Sequence, residues 1–257
     1  MCAASGGGKN VKRTALVGMA LATVTPAFAQ QSDWTYTASI SGWFTGLESS
    51  ISTRFGNVET ELDFADVWEK LDMAFFGRFE ARNGRWVLVT DLIYSNLGTE
   101  ASTPLGLAFR TVEVDASLTL LSAYAAYAVV EEPGFRLEMG PGFRYNDASI
   151  DMRLVGNLAA TQTLSFGDSW VDPLLGVRMQ FDLSENWFGT AFADIGGFGM
   201  GDASDTTWQA YAGIGYRFND MWAVRAGYRH LTIERNFDGR DITLGLSGPM
   251  VGVQVAF

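Results

Sequence analysis

The 257-residue chain carries 29 Asp and Glu against 18 Lys and Arg, with 47 % apolar residues, 29 glycines, one histidine and one cysteine. The apolar fraction excludes disorder, the lone Cys2 excludes a disulfide scaffold and cysteine-histidine zinc sites, and a net charge of −11 repels nucleic-acid phosphates. Helices that span a membrane are excluded too, because no run reaches about 18 unbroken apolar residues; the longest in the body, Leu118 to Val130, contains Thr119 and Ser122.

The chain opens with Lys9, Lys12 and Arg13, then an apolar run from Ala15 to Val24, then Thr25-Pro26-Ala27-Phe28-Ala29. A basic start, a short apolar core and a small-x-small site predict a secretory signal peptide over 1–29, cut after Ala29. Cys2 precedes the apolar run, so it is not a lipoprotein cysteine. Residues 30–257 are then one domain, and its single lysine is Lys70. A basic set made almost wholly of arginine points to planar, paired charges in confined places.

Period-two alternation fills that domain. Trp34, Tyr36, Ala38 and Ile40 alternate with Thr35, Thr37, Ser39 and Ser41; Phe75, Gly77 and Phe79 alternate with Arg78, Glu80 and Arg82. Ten strands are predicted: 34–46, 73–82, 85–97, 111–130, 135–146, 168–182, 187–198, 206–218, 221–234 and 242–257. Pro141 and Pro173 fall inside two of them and predict bulges. Tight-turn residues join some strands, at Asn83-Gly84, Glu131 to Gly134, Ser184 to Asn186 and Asn219-Asp220. Long connections at Leu47–Asp72, Gly98–Arg110, Asn146–Gly167, Gly199–Asp205 and Asn236–Arg240 join the others. Within the first and most acidic of these, Phe64, Val67, Trp68 and Leu71 recur at helical spacing behind Asp63, which predicts a short amphipathic helix that lids the mouth, gates it or lies at the lipid headgroups. An even number of strands with alternating short turns and long loops is the pattern of an outer-membrane β-barrel, all-β and antiparallel, in up-and-down order.

Aromatics track the turns. Trp34, Trp86, Phe135, Trp187 and Trp222 begin strands at the short-turn end, and Phe79, Tyr127, Phe181, Phe218 and Phe257 lie on strands arriving there. One recurring height of aromatics reads as an interfacial girdle. Val251, Val253, Val255 and the terminal Phe257 resemble the signal read by the barrel assembly machinery. Asp194-Ile195-Gly196-Gly197-Phe198-Gly199, Thr207-Trp208, Gly215-Tyr216-Arg217-Phe218 and Gly227-Tyr228-Arg229, with the segments Leu71 to Arg82 and Gly84 to Tyr94, resemble a family of bacterial outer-membrane proteins of the beta-barrel domain type. The resemblance implies fold and outer-membrane location, with lipid, lipopolysaccharide and the assembly machinery as partners; it implies no substrate.

The polar face predicts the candidate site. Arg78, Glu80, Arg82, Asp91, Glu113, Asp115, Arg136, Glu138, Arg144, Asp172, Arg178, Asp194, Arg217, Arg225 and Arg229 form a charge-balanced set, suited to a lumen where charges must pair. Close pairing predicts a mostly occluded lumen; Gly140, Gly142, Gly176, Gly213, Gly215 and Gly227 remove bulk from the same face and leave room for a thin path or small cavity. No phosphate loop, zinc-protease or serine-hydrolase motif occurs. His230 is predicted to face lipid or the interface, with Asp194 and Ser41 as imaginable partners and no spacing that specifies a triad. Glu113 and Asp115 are placed in lumenal salt bridges before acid-base work. No cofactor or metal is expected, since the acidic first loop lacks a calcium-loop pattern. The expected function is a non-enzymatic barrel with a structural or surface-binding role. A narrow pore for small ions is the alternative, and a barrel enzyme a distant third.

Overall fold

The computed structural model describes residues 34–53, 56–62, 71–102, 109–156, 160–237 and 240–257. Alternation along these segments produces twelve strands: β1 Trp34–Trp43, β2 Gly46–Thr53, β3 Gly56–Leu62, β4 Leu71–Asn83, β5 Trp86–Ser102, β6 Phe109–Glu132, β7 Phe135–Gly156, β8 Gln162–Asp182, β9 Trp187–Gly197, β10 Thr206–Arg217, β11 Trp222–Phe237 and β12 Arg240–Ala256. Antiparallel neighbours run β1-β4-β5-β6-β7-β8-β9-β10-β11-β12, and β12 pairs back onto β1, so ten strands close a barrel with no free edge in its wall. Phe257 seals the seam: its N–H donates to Tyr36 O at 2.9 Å and Tyr36 N–H donates to Phe257 O at 3.0 Å.

The first long connection is partly wall. β12 pairs with β1 from Met250 to Ala256 and with β2 from Ile242 to Ser247, so β2 carries β1 onward past Phe44 and Thr45. β3 folds back on β2 as a hairpin. The acid-rich sequence of 47–62 lacks the apolar face that lipid demands, which is why its alternation was muted. The predicted helix falls on 63–70, outside the described residues, as does the predicted signal peptide; Leu71 opens β4.

β6, β7 and β8 hold 24, 22 and 21 residues, about twice what a tilted membrane strand needs. The predicted loops Gly98–Arg110 and Asn146–Gly167 are therefore largely strand. Beyond the lipid both faces meet water, so apolar alternation fades while the ladder continues. β8 meets β9 only from Leu174 onward, and residues 162–173 rise past it. No register shift accompanies Pro141 or Pro173, contrary to the predicted bulges. Pro173 stands where β8 parts from β9, and the β6 ladder records no pair across from Pro141, so the missing N–H groups fall where few bonds are lost. The β6–β7 ladder shifts register elsewhere on β6, between Phe109 and Thr111 and between Ala128 and Val130.

Outward positions are apolar and exposed: Ile40, Phe79, Leu88, Val129, Met139, Phe143, Val171, Leu175, Ile195, Ile214, Val251 and Val253. On a soluble protein such a belt would be a large apolar patch; on a barrel it is the lipid face. The girdle is present at the short-turn end, where Trp86 packs on Tyr127 and Trp187 on Tyr216, each at 5.1 Å, and Tyr36 lies between Phe79 and Phe257.

Candidate functional site in the barrel lumen

Strand parity fixes which charges turn inward, and most of the inward arginines and carboxylates join in one chain, with Asp172 and Arg225 outside it. At the short-turn end Arg136 Nε donates to Glu138 Oε1 at 2.7 Å, Nη2 donates to Gly84 O at 2.8 Å, and the guanidinium also pairs with Glu131. Glu138 takes Arg82 and Arg178 as well, each at 2.9 Å. Arg178 reaches Glu80 at 2.7 Å, and Arg78 Nε donates to the same Glu80 at 2.9 Å. Arg78 then faces Asp91 at 3.9 Å, while Arg229 Nη2 donates to Asp91 at 2.8 Å and to Gln209 Oε1 at 2.6 Å. Gln209 donates to Asp194, which also accepts from the Tyr124 hydroxyl at 2.7 Å and from Arg144 Nη2 at 2.9 Å. Arg144 is 1 % exposed and spends its other donors on Ser122 Oγ and Thr207 Oγ1. Burying such charges is tolerable because each has a partner; removing one partner would strand the other in a medium that cannot solvate it.

Above this layer, toward the long connections, the lumen turns apolar. Trp43, Phe76, Ile93, Leu120, Leu231, Ile233 and Leu246 form a buried cluster across strands β1, β4, β5, β6, β11 and β12. The sequence reading missed this plug, because in a barrel with apolar residues outside, an inward Leu looks like a break in the alternation. Of the two outcomes expected from the inward glycines, a small cavity is present beside Gly140 and Gly176, while the space at other glycines is filled by rings. A Cβ on Gly142 would lie 2.5 Å from the Tyr124 ring, one on Gly213 2.4 Å from the Tyr211 hydroxyl, and one on Gly215 2.2 Å from the Phe188 ring. Aromatic rings occupy the room that these glycines give up, so no continuous path follows from them. Among the described residues, cavities beside Arg78 leave room for a few waters.

A sequence scan settles the family. The model of the outer membrane protein beta-barrel domain matches residues 14–248. The chain belongs to that family. It is therefore an outer-membrane barrel, located where the family's lipid-facing belt requires. No curated protein matches the sequence. Among solved structures, the outer membrane protease OmpT of Escherichia coli is similar at 9 % identity and a TM-score of 0.58, over 91 % of this chain and 99 % of that one. Ail, the attachment invasion locus protein of Yersinia pestis, aligns at 10 % identity and a TM-score of 0.39, over 88 % of this chain and 100 % of that one. At such identities the OmpT likeness is one of fold alone.

Not every predicted lumenal charge of this outer-membrane barrel lies inside. On β6, Leu120, Ser122 and Tyr124 are buried inward, so Glu113 and Asp115, of opposite parity, stand on the outer face. Glu113 pairs there with Arg153 at 3.2 Å, with side chains 36 % and 58 % exposed. The error has a physical cause: on the projecting part of β6 the outer face meets water, and polar no longer means inward. Arg217 sits at the short-turn mouth, paired with Asp182 at 2.7 Å and stacked over Phe188. Asp172 is buried but bound by neutral donors, Ser204 N, Ser204 Oγ, Asn146 Nδ2 and Trp170 Nε1, and so pins the β9–β10 connection to β8. Arg225 donates to Ser39 Oγ at 2.9 Å. Tyr124, Gln209, Ser122 and Thr207 were not read from sequence as part of the network; being neutral, they carried no charge signal. His230 lies on the outer face, stacked on Trp208 at 4.6 Å and bonded to Thr232 Oγ1, on the opposite side of the wall from Asp194.

Proposed function

We propose that the protein is a closed, non-enzymatic barrel that serves the outer membrane as a structural or surface-binding element. The observation that carries this reading is the packing of the lumen among the described residues, with an ion-pair layer below and an apolar layer above. Ions crossing such a barrel would have to break buried pairs and then enter a dry layer, and each step opposes flow. In barrels of this kind short turns face the periplasm and long connections face the outside, so the projecting β6, β7 and β8 are the surface offered to the environment. Lipid and lipopolysaccharide surround the apolar belt, and the assembly machinery reads the last strand with Phe257. The placement of His230 against Trp208 and Thr232, away from carboxylates of the lumen, favours a structural role for that residue over catalysis. Planar-bilayer recording on the purified barrel tests the reading. Brief, small events at most are expected; large, steady conductance on the scale of general porins overturns it.

A further inference from the structure

The larger lumenal cavity has a charge imbalance that the ion-pair chain does not absorb. Ser41, Arg78, Asp91, Tyr211, Arg225 and Arg229 border it, beneath Phe76 and Met250 of the apolar layer. Three guanidinium groups thus meet one carboxylate. Asp91 is already shared between Arg229 at 2.8 Å and Arg78 at 3.9 Å, and Arg78 has Glu80 as its second partner. Arg225 is different. Its hydrogen bond goes to the uncharged Ser39 Oγ at 2.9 Å, and among the described residues it forms no direct ion pair; Glu80, the carboxylate whose charge reaches it, is already bound by Arg78 and Arg178. A guanidinium has five donors and cannot shed its charge, so in a partly buried lumen it calls for an anion. The Tyr211 hydroxyl, held over Gly213 and Gly227, lines the same space and offers a neutral donor beside it.

We propose that this cavity binds a small inorganic anion, with Arg225 as its principal ligand and Tyr211, Arg78 and Arg229 around it. The cavity has room for a few waters, a size that suits a halide or a single phosphate. The anion completes the charge balance of the lumen and cross-links β1, β4, β10 and β11 through side chains that otherwise repel. The apolar layer closes the cavity above, so exchange requires the ion pairs around Glu138 at the short-turn end to part and is slow. The inference goes beyond the closed-barrel reading: an anion site would persist whether or not ions cross the plug.

The test uses the intact, refolded barrel in detergent at constant ionic strength, with bromide or phosphate replacing gluconate stepwise. The unfolding midpoint should rise saturably with bromide, phosphate or both, and stay flat in gluconate; the responsive salt names halide or oxyanion. Arg225→Gln should raise the concentration needed for half the effect by about tenfold or more, the scale of one charge-assisted hydrogen bond. Arg153→Gln, on the outer face, should leave it unchanged. Equal midpoints in all three salts, or an unaltered response in Arg225→Gln, overturn the proposal. If Arg225→Gln does not fold, Tyr211→Phe keeps the arginine and should weaken the response several-fold, and an unaltered response there counts against the site. Crystals of the unmodified protein soaked in bromide give the direct check, with an anomalous peak expected beside Arg225 if the ion is a halide. No bromide peak together with no response to phosphate also overturns it.

Discussion

At the scale of single residues, the same ion-pair chemistry takes two values in one barrel wall. Arg144 and Asp194 are both buried, at 1 % and 0 % side-chain exposure, and Asp194 also holds Tyr124 and Gln209. Arg144→Ala would leave that carboxylate without its cation, and the expected loss is about 3–5 kcal/mol. Arg153 pairs with Glu113 on the wet outer face, where Arg153→Ala should cost less than about 1 kcal/mol. Urea unfolding of the two refolded variants in the same vesicles checks the contrast, and equal losses would mean that the lumen solvates Asp194 as well as bulk water does. The sequence distinguished these pairs poorly. Both offered an Arg and an acid on alternating positions, and only the height of the residue along the strand decides whether its outward neighbours are lipid or water.

At the scale of the element, the last strand closes the barrel, and in the proposed reading its final residue is also the assembly signal. Phe257 exchanges two backbone hydrogen bonds with Tyr36 and stacks against its ring at 5.9 Å, so it closes β12 onto β1. If the assembly machinery reads the same residue, deleting Phe257 should lower membrane yield in cells far more than it lowers refolding in detergent. Equal losses in the two assays would assign Phe257 to seam closure alone. Strand identity, turn chemistry and the girdle were legible in the sequence because lipid imposes apolar residues at every second position within its thickness. Strand ends were not. β6, β7 and β8 outrun the bilayer, and β2 and β3 lie where no lipid enforces alternation, so backbone pairing there continues without a side-chain pattern to announce it.

At the scale of the whole molecule, the proposed closed lumen amounts to two barriers in series, and the order of their removal should matter. The lower one is ionic, with Arg82, Arg136 and Arg178 converging on Glu138. The upper one is apolar, with Leu120 and Leu231 each 1 % exposed in its centre. The charged face predicts occlusion from the sequence; the apolar layer was not legible there, since its residues are spread over six strands and meet only when the barrel closes. Truncating Leu120 and Leu231 to Ala opens space above but leaves the guanidinium layer intact. Changing Arg82 and Arg136 to Ala loosens the lower layer but leaves a dry plug above it. Neither double variant should conduct steadily. The fourfold variant should, and because Glu138 then keeps only Arg178 of its three arginines and Glu131 keeps only Arg85, the lower layer is more negative than before and the path should favour cations. Band shift on heating confirms that each variant is folded before it enters the bilayer. Full conductance in either double variant would show that one layer alone holds the lumen shut.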